Sequence, residues 1–176
     1  MAALATPAAY ALEYRTVVPQ QSAIQFEFRQ LGVPVKGGFK RFRTQMRFDP
    51  AKPEAASAQV EIDLASIDAG SPEANDESAG RLWFNRSVYP KATFVSGQVR
   101  ALGNNRYEMR GTLTVKGRSR EVVVPVTYLP GKSVATFDGS FVLKRLDFGI
   151  GEGMWADVAT VANEVQVRFR IAATGS

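Results

Sequence analysis

Few side chains in this sequence can do acid–base or nucleophilic chemistry, because two residue types are missing. Its 176 residues contain no Cys and no His. That excludes thiolate nucleophiles, zinc fingers and CxxC redox pairs. It equally excludes Ser-His-Asp and Cys-His catalysis, HExxH metalloproteases and haem held through histidine. Carboxylates, Lys, Tyr and Ser remain. Asp147, Glu152 and Asp157 are close enough in sequence to imitate the acid pair of a glycosidase, but nothing in the spacing sets their separation, and a solvated loop accounts for them. Arg145 and Asp147, at i and i+2, share one side if that stretch is extended. They are expected to pair and fix the Gly149–Gly153 loop, with a head-group grip as the alternative. Gly131-Lys132-Ser133 resembles the end of a phosphate loop, but Val126 stands where the pattern needs Gly, so it reads as a turn. No catalytic residue, metal ligand or cofactor is expected.

The elements that would carry these groups are strands. Apolar and polar residues alternate with period two in several runs, the mark of a sheet buried on one face. Ile24, Phe26 and Phe28 share one face; so do Phe42, Thr44, Met46 and Phe48; so do Ala58, Val60, Ile62 and Leu64. Tyr107, Met109, Gly111, Leu113 and Val115 form a fourth set, and Val165, Val167, Phe169 and Ile171 a fifth. Weaker strands are expected at Ala11–Val17, Thr93–Arg100, Glu121–Tyr128 and Val134–Leu143. Asp49-Pro50, Gly103-Asn104-Asn105, Lys116-Gly117 and Pro130-Gly131 supply the turns. This predicts an all-β chain: an antiparallel, lipocalin-like barrel of about eight strands.

One stretch breaks the pattern. Pro72 to Tyr89 predicts a short helix capped by Asn75 or Asp76, with the Leu82-Trp83-Phe84 cluster near its end and Pro90 stopping it. This helical excursion is expected to lie across one opening of the barrel. Residues 1–9 are small and mostly apolar and are expected to be a flexible N-terminal segment, leaving 10–173 as the barrel. No run approaches the roughly 18 apolar residues of a spanning helix.

Six landmarks then occur in order. They are Ser22-x-Ile24-x-Phe26; Val35-Lys36-Gly37-Gly38-Phe39, read as a turn; Ser66-Ile67-Asp68; Tyr89-Pro90-Lys91-Ala92-Thr93-Phe94; Gly111-Thr112-Leu113-Thr114-Val115-Lys116-Gly117; and Arg145-Leu146-Asp147-Phe148-Gly149-Ile150. With them the chain resembles the YceI-like polyisoprenoid-binding family from Tyr10 to Ala173. It departs at Gln21, where many members have His. The stretch from Gly149 to Asp157 is similar to a subgroup often encoded beside b-type cytochromes. The resemblance implies a periplasmic or secreted barrel, its signal peptide removed, that binds and carries a long isoprenoid chain such as a quinone tail.

The apolar interior is where such a chain would lie. The expected lining is Phe26, Phe28, Phe42, Met46, Ile62, Leu64, Trp83, Phe84, Phe94, Leu113, Phe141, Phe148 and Trp155. Alternation alone leaves a filled core equally open. Trp83 and Phe84 read either as a lid or as a staple for the excursion. Lys36, Lys40, Arg41, Arg43 and Arg47 form a basic strand face within a net charge of +5, which would suit an anionic membrane surface or simply solvent. Nucleic acid is not expected, because the aromatic residues of that strand point inward. Two rival functions stand beside the carrier: an enzyme acting on a bound lipid, and a filled module docking on a membrane b-type cytochrome. Oligomeric state, including a homodimer, is open.

Overall fold

The computed structural model describes residues 12–176. The expected flexible segment 1–9 lies outside the described residues, as do Tyr10 and Ala11. The strands are β1 (Tyr14–Val17), β2 (Ala23–Gln30), β3 (Val33–Phe39), β4 (Phe42–Arg47), β5 (Ser57–Asp63) and β6 (Ile67–Asp68). After helix α1 (Pro72–Ala79) come β7 (Lys91–Gly103), β8 (Arg106–Val115), β9 (Arg118–Leu129), β10 (Val134–Lys144) and β11 (Glu164–Gly175). They form one antiparallel sheet in the order β4-β5-β7-β8-β9-β10-β11-β2-β3-β6, with β1 on β11. Among the described residues there are eleven strands, against the expected eight or so. The landmark Val35–Phe39, read as a turn, lies within β3, and β6 adds a two-residue pairing with its end. Two glycines in succession signalled a bend; here they let β2 and β3 approach closely.

Three hairpins close with two-residue turns in the left-handed region, which matches the twist of the flanking strands. Asn104-Asn105 and Lys116-Gly117 occupy two of them and Leu31-Gly32 the third. A bulge between Ser96 and Gln98 on β7 shifts the side-chain parity. Thus Ala92 and Phe94 face inward before it and Val99 after it. The sheet curls until its ends meet. Tyr14 on β1 exchanges both backbone hydrogen bonds with Phe48 after β4, at 2.8 and 3.1 Å. At the opposite corner the buried Ser66 hydroxyl accepts from the Arg41 N–H at 2.9 Å and donates to the Asp63 carbonyl at 2.7 Å.

The β1 end is plugged by aromatic rings. Phe48 lies 5.1–5.2 Å from Tyr107, Tyr128 and Phe137, and Tyr14 packs edge-on against Tyr128 and Phe137. The Tyr128 hydroxyl donates to that of Tyr14 at 3.0 Å. Burial, reinforced by that hydrogen bond, pushes the Tyr128 phenol above its ordinary pKa. Such a plug satisfies its own polar groups while keeping water out.

The other end is framed by α1 and the segment 149–162. Helix α1 is capped by Ser71, whose hydroxyl accepts from the Ala74 N–H at 3.1 Å, with Pro72 in the first turn. This corrects the expected Asn75 or Asp76 cap. Asn75 instead accepts from the Ala69 N–H, and the helix stops at Gly80 rather than Pro90. The chain then turns through Trp83 and Phe84, and the Leu82 carbonyl accepts from the N–H groups of Gly151 and Glu152.

Arg145 holds this frame. It is 1% exposed. Its Nε donates to Ala162 O at 3.0 Å, Nη1 to Ile150 O and Gly151 O at 2.9 Å each, and Nη2 to Trp155 O and Val161 O at 2.7 Å each. All five guanidinium N–H groups therefore go to carbonyls of one loop. Residues 145–148 form a 3₁₀ turn, not an extended strand, so Asp147 points to solvent. The expected Arg145–Asp147 pair is not formed; Arg145 fixes the loop alone.

Two stability predictions follow from these contacts. Arg145→Met leaves five carbonyls without their donor and should cost about 3–5 kcal/mol; Arg145→Lys, with three donors, should lose less. Thermal unfolding and amide exchange across 149–162 measure this. Near β1, Glu13 accepts from Arg15 at 2.6 Å and Arg47 at 2.8 Å, and these hydrogen bonds hold its carboxyl down at about 2 from an ordinary 4.5. Its contribution is complete above pH 4.5 and is lost as the pH falls toward 2. The difference in melting temperature between wild type and Glu13→Gln should be small, as befits an exposed pair, and should vanish across that window.

Candidate functional site

The interior is hollow, and the reason lies in the strand glycines. Phe26 faces Gly37 across the β2–β3 pair, and Phe169 faces Gly139 across β10–β11. A Cβ built on either glycine, or on Gly111 beside Phe94, would collide with the neighbouring phenylalanine ring. Each ring therefore lies over a bare backbone position along the wall. Space is left at the centre that three upright rings would fill.

That space forms two chambers. The upper one, beneath α1, is about 450 Å³. The lower one, above the aromatic plug, is about 150 Å³. Ile24, Ile62, Leu113, Phe141 and Val167 line both and form the neck at which they meet. The walls are almost entirely apolar.

The expected lining residues divide as follows. Phe26, Phe28, Leu64, Trp83, Phe84 and Trp155 line the upper chamber. Met46 and Phe94 line the lower one. Ile62, Leu113 and Phe141 belong to the neck. Two residues are elsewhere. Phe148 is 2% exposed and packs with Leu64, Ala92, Val115 and Ile150 as core behind the wall. The 3₁₀ turn that leaves Asp147 in solvent places Phe148 in the core and not in the lumen. Phe42 packs against the lower core but lines neither chamber. It sits at the start of β4, beside the corner where the sheet closes. Residues not expected from the sequence add to the lining, among them Phe39, Leu143, Ile150, Val161 and α1's Glu73 and Glu77, and Arg145 joins them. Val165 and Val167 also line it; their alternation had signalled an inward face.

Aromatic contacts shape the opening. Trp83 and Trp155 lie 5.5 Å apart, and the Arg145 guanidinium sits 5.7 Å from the centre of the Trp83 ring. Phe39 connects Phe26, at 5.5 Å, to Phe84, at 6.4 Å. Trp83 and Phe84 thus form wall as well as cover. Trp155 donates its Nε1–H to Glu77 Oε1 at 3.1 Å, tying the loop to α1.

Of the charged groups singled out from the sequence, Arg145 lines the upper chamber and Arg47 the rim of the lower one, while the carboxylates lie away from both. Glu152 accepts from Lys116 at 2.8 Å with Arg118 nearby, contacts that pull its carboxyl below the usual range. Asp157 accepts from the Ala159 N–H, and Asp147 is exposed. None of the three lines either chamber. On the basic strand face, Arg41 pairs with Asp63 at 3.0 Å and Arg47 with Glu13 at 2.8 Å, while Lys36, Lys40 and Arg43 stay solvent-facing or part-exposed.

Comparison with known proteins agrees with this architecture. The sequence profile of the YceI-like domain matches residues 16–173. A UPF0312 protein of Azotobacter vinelandii is 30% identical over 155 residues, spanning 84% of this chain and 79% of the relative. The crystal structure of Burkholderia cenocepacia BcnA superposes with a TM-score of 0.87 at 44% identity, covering 90% of this chain and 99% of that one. A polyisoprenoid-binding domain from Saccharophagus degradans, implicated in plant cell wall breakdown, shares the fold with a TM-score of 0.69 at 15% identity, covering 94% and 99%. A curled antiparallel sheet with one helix over its mouth, matched by the profile through nearly its whole length, places this chain in the YceI-like domain family.

Proposed function

We propose that this protein binds a long-chain isoprenoid lipid, an isoprenoid quinone, and carries it through the periplasm. The observation that carries the reading is the pair of apolar chambers that meet at a shared neck, with α1 in the wall of the upper one and an aromatic plug at the β1 end. A flexible hydrocarbon fits such a space and a polar metabolite does not. Each methylene withdrawn from water contributes about 0.8 kcal/mol, offset in part by ordering the tail. The Saccharophagus neighbour, a polyisoprenoid-binding domain, supports the ligand class.

Carriage without turnover is the fitting role. The carboxylates Asp147, Glu152 and Asp157 lie outside the chamber walls, which weakens the reading as an enzyme acting on its lipid. The docking module for a membrane b-type cytochrome needed a filled core, and two chambers weaken it likewise. A membrane or cytochrome contact through the basic strand face is compatible with carriage. An apolar tail crosses water at useful concentration only inside a sleeve, and the periplasm is the compartment where we expect that need.

Native mass spectrometry of the purified protein, with organic extraction, should reveal a bound isoprenoid or uptake of added ubiquinone. Ile62→Gln puts an amide in the neck without partners and should lower lipid occupancy about tenfold. The outward Arg43→Ala should leave equilibrium occupancy within about twofold, since an exposed side chain away from the wall contributes little. Equal losses from the two variants, or no lipid uptake by wild type, would defeat the carrier reading.

A further inference from the structure

The two chambers differ in what they can recognise. Gln30, Glu73 and Glu77 line the upper one and are also exposed to solvent, so a polar head group placed among them keeps contact with water. The lower chamber is smaller, about 150 Å³ against about 450 Å³, and apolar side chains make nearly all of its wall. Arg47 and Ser57 lie at its exposed rim, with Arg47 bonded to Glu13 at 2.8 Å, and the Thr44 hydroxyl is buried within the wall. Such a space offers hydrocarbon a volume and little else.

What a purely apolar volume can read is length. Phe48, Tyr107 and Phe137 line the lower chamber and belong to the aromatic plug. Each is less than a tenth exposed, and Phe48 lies 5.1 Å from Phe137 and 5.2 Å from Tyr107. Rings interlocked at this density yield little to an intruding methylene. Elsewhere the wall is thin. Ala58 on β5, paired with Met46 of β4, is half-buried and lines the chamber with a single methyl group. The depth of the chamber therefore owes as much to that alanine as to the rings that end it.

Resting on the carrier reading above, we propose that the lower chamber gauges the length of the isoprenoid tail: the end of the tail passes the neck, Phe48, Tyr107 and Phe137 stop it, and Ala58 sets with them how many isoprene units are sheltered. The head group stays in the upper chamber. A tail within the limit is wholly out of water. Each isoprene unit beyond it has to stand in water or crowd the upper chamber, a cost that a fitting tail does not meet.

The whole protein is equilibrated with phosphatidylcholine vesicles that hold equal amounts of ubiquinones differing only in the number of isoprene units. It is then separated and extracted, and each tail length is compared with its share in the vesicles. Every tail is already out of water in the bilayer, so length confers no advantage until the site is exceeded. Wild type should show a cut-off, with retention falling at least about tenfold for each isoprene unit beyond it. A phenyl group and an isoprene unit are of similar bulk. Ala58→Phe should therefore move the cut-off down by about one unit, and Ala58→Leu should move it the same way by less. Phe137→Ala, which takes that bulk from the plug, should move it up by about one unit where the variant folds. Gln59→Phe puts the same ring on the next residue of β5, which is exposed, and should leave the cut-off in place. A length distribution in wild type that matches the vesicles, a cut-off that neither Ala58 variant moves, or one that Gln59→Phe moves as far overturns the gauge and leaves the carrier intact. Failure of wild type to take up a quinone of any length overturns both.

Discussion

A buried guanidinium holds the mouth of this barrel. Removing a cation from water costs several kcal/mol unless every donor finds a partner, and Arg145 finds five, all backbone carbonyls from Ile150 to Ala162. A loop read by five carbonyl contacts has little freedom to rearrange. Because Leu82 accepts from Gly151 and Glu152, the fixed loop in turn fixes the excursion beyond α1. Trp83, with its ring beside the same guanidinium, inherits that position. Part of the upper chamber's frame is irregular backbone, and irregular backbone keeps its shape only when something satisfies its polar groups.

The second determinant is the exchange of side-chain volume between neighbouring strands. A barrel of this size can fill itself with phenylalanine or stay open. Here rings and glycines face one another on adjacent strands, so that Phe26, Phe94 and Phe169 lie along the wall. At the β1 end Tyr14, Phe48, Tyr107, Tyr128 and Phe137 interlock into a plug. One sheet is thus hollow at one end and solid at the other through the placement of small residues.

Binding and stability are consequently separated in space. The lower aromatic cluster and the β1 closure bury their groups with no reference to a ligand. The chambers above are lined by half-buried residues such as Ile62, Phe94 and Phe141, which would complete their burial only with something between them. An apolar chain would supply that missing contact without specific geometry.

Much of this was legible in the sequence because a period of two survives any context: a residue's face follows from its parity once the strand is known. Alternation identified the inward sets of β2, β4, β5, β8 and β11, and the break at Pro72 marked the excursion. Parity failed where the backbone stopped being a regular strand. The bulge in β7 and the 3₁₀ turn at Arg145–Phe148 each reassign a side chain, and local sequence carries no sign of the long-range contacts that impose them. Gly37-Gly38 read as a turn because glycine marks both a bend and a close strand approach, and only the ring of Phe26 on the neighbouring strand distinguishes the two. The sequence by itself determined that the chain is a one-sided antiparallel sheet with an apolar inner face and no histidine or cysteine chemistry. Whether that face encloses a cavity was decided by tertiary structure alone, because it depends on which phenylalanine meets which glycine across strands and on a single arginine whose five acceptors lie 5 to 17 residues away.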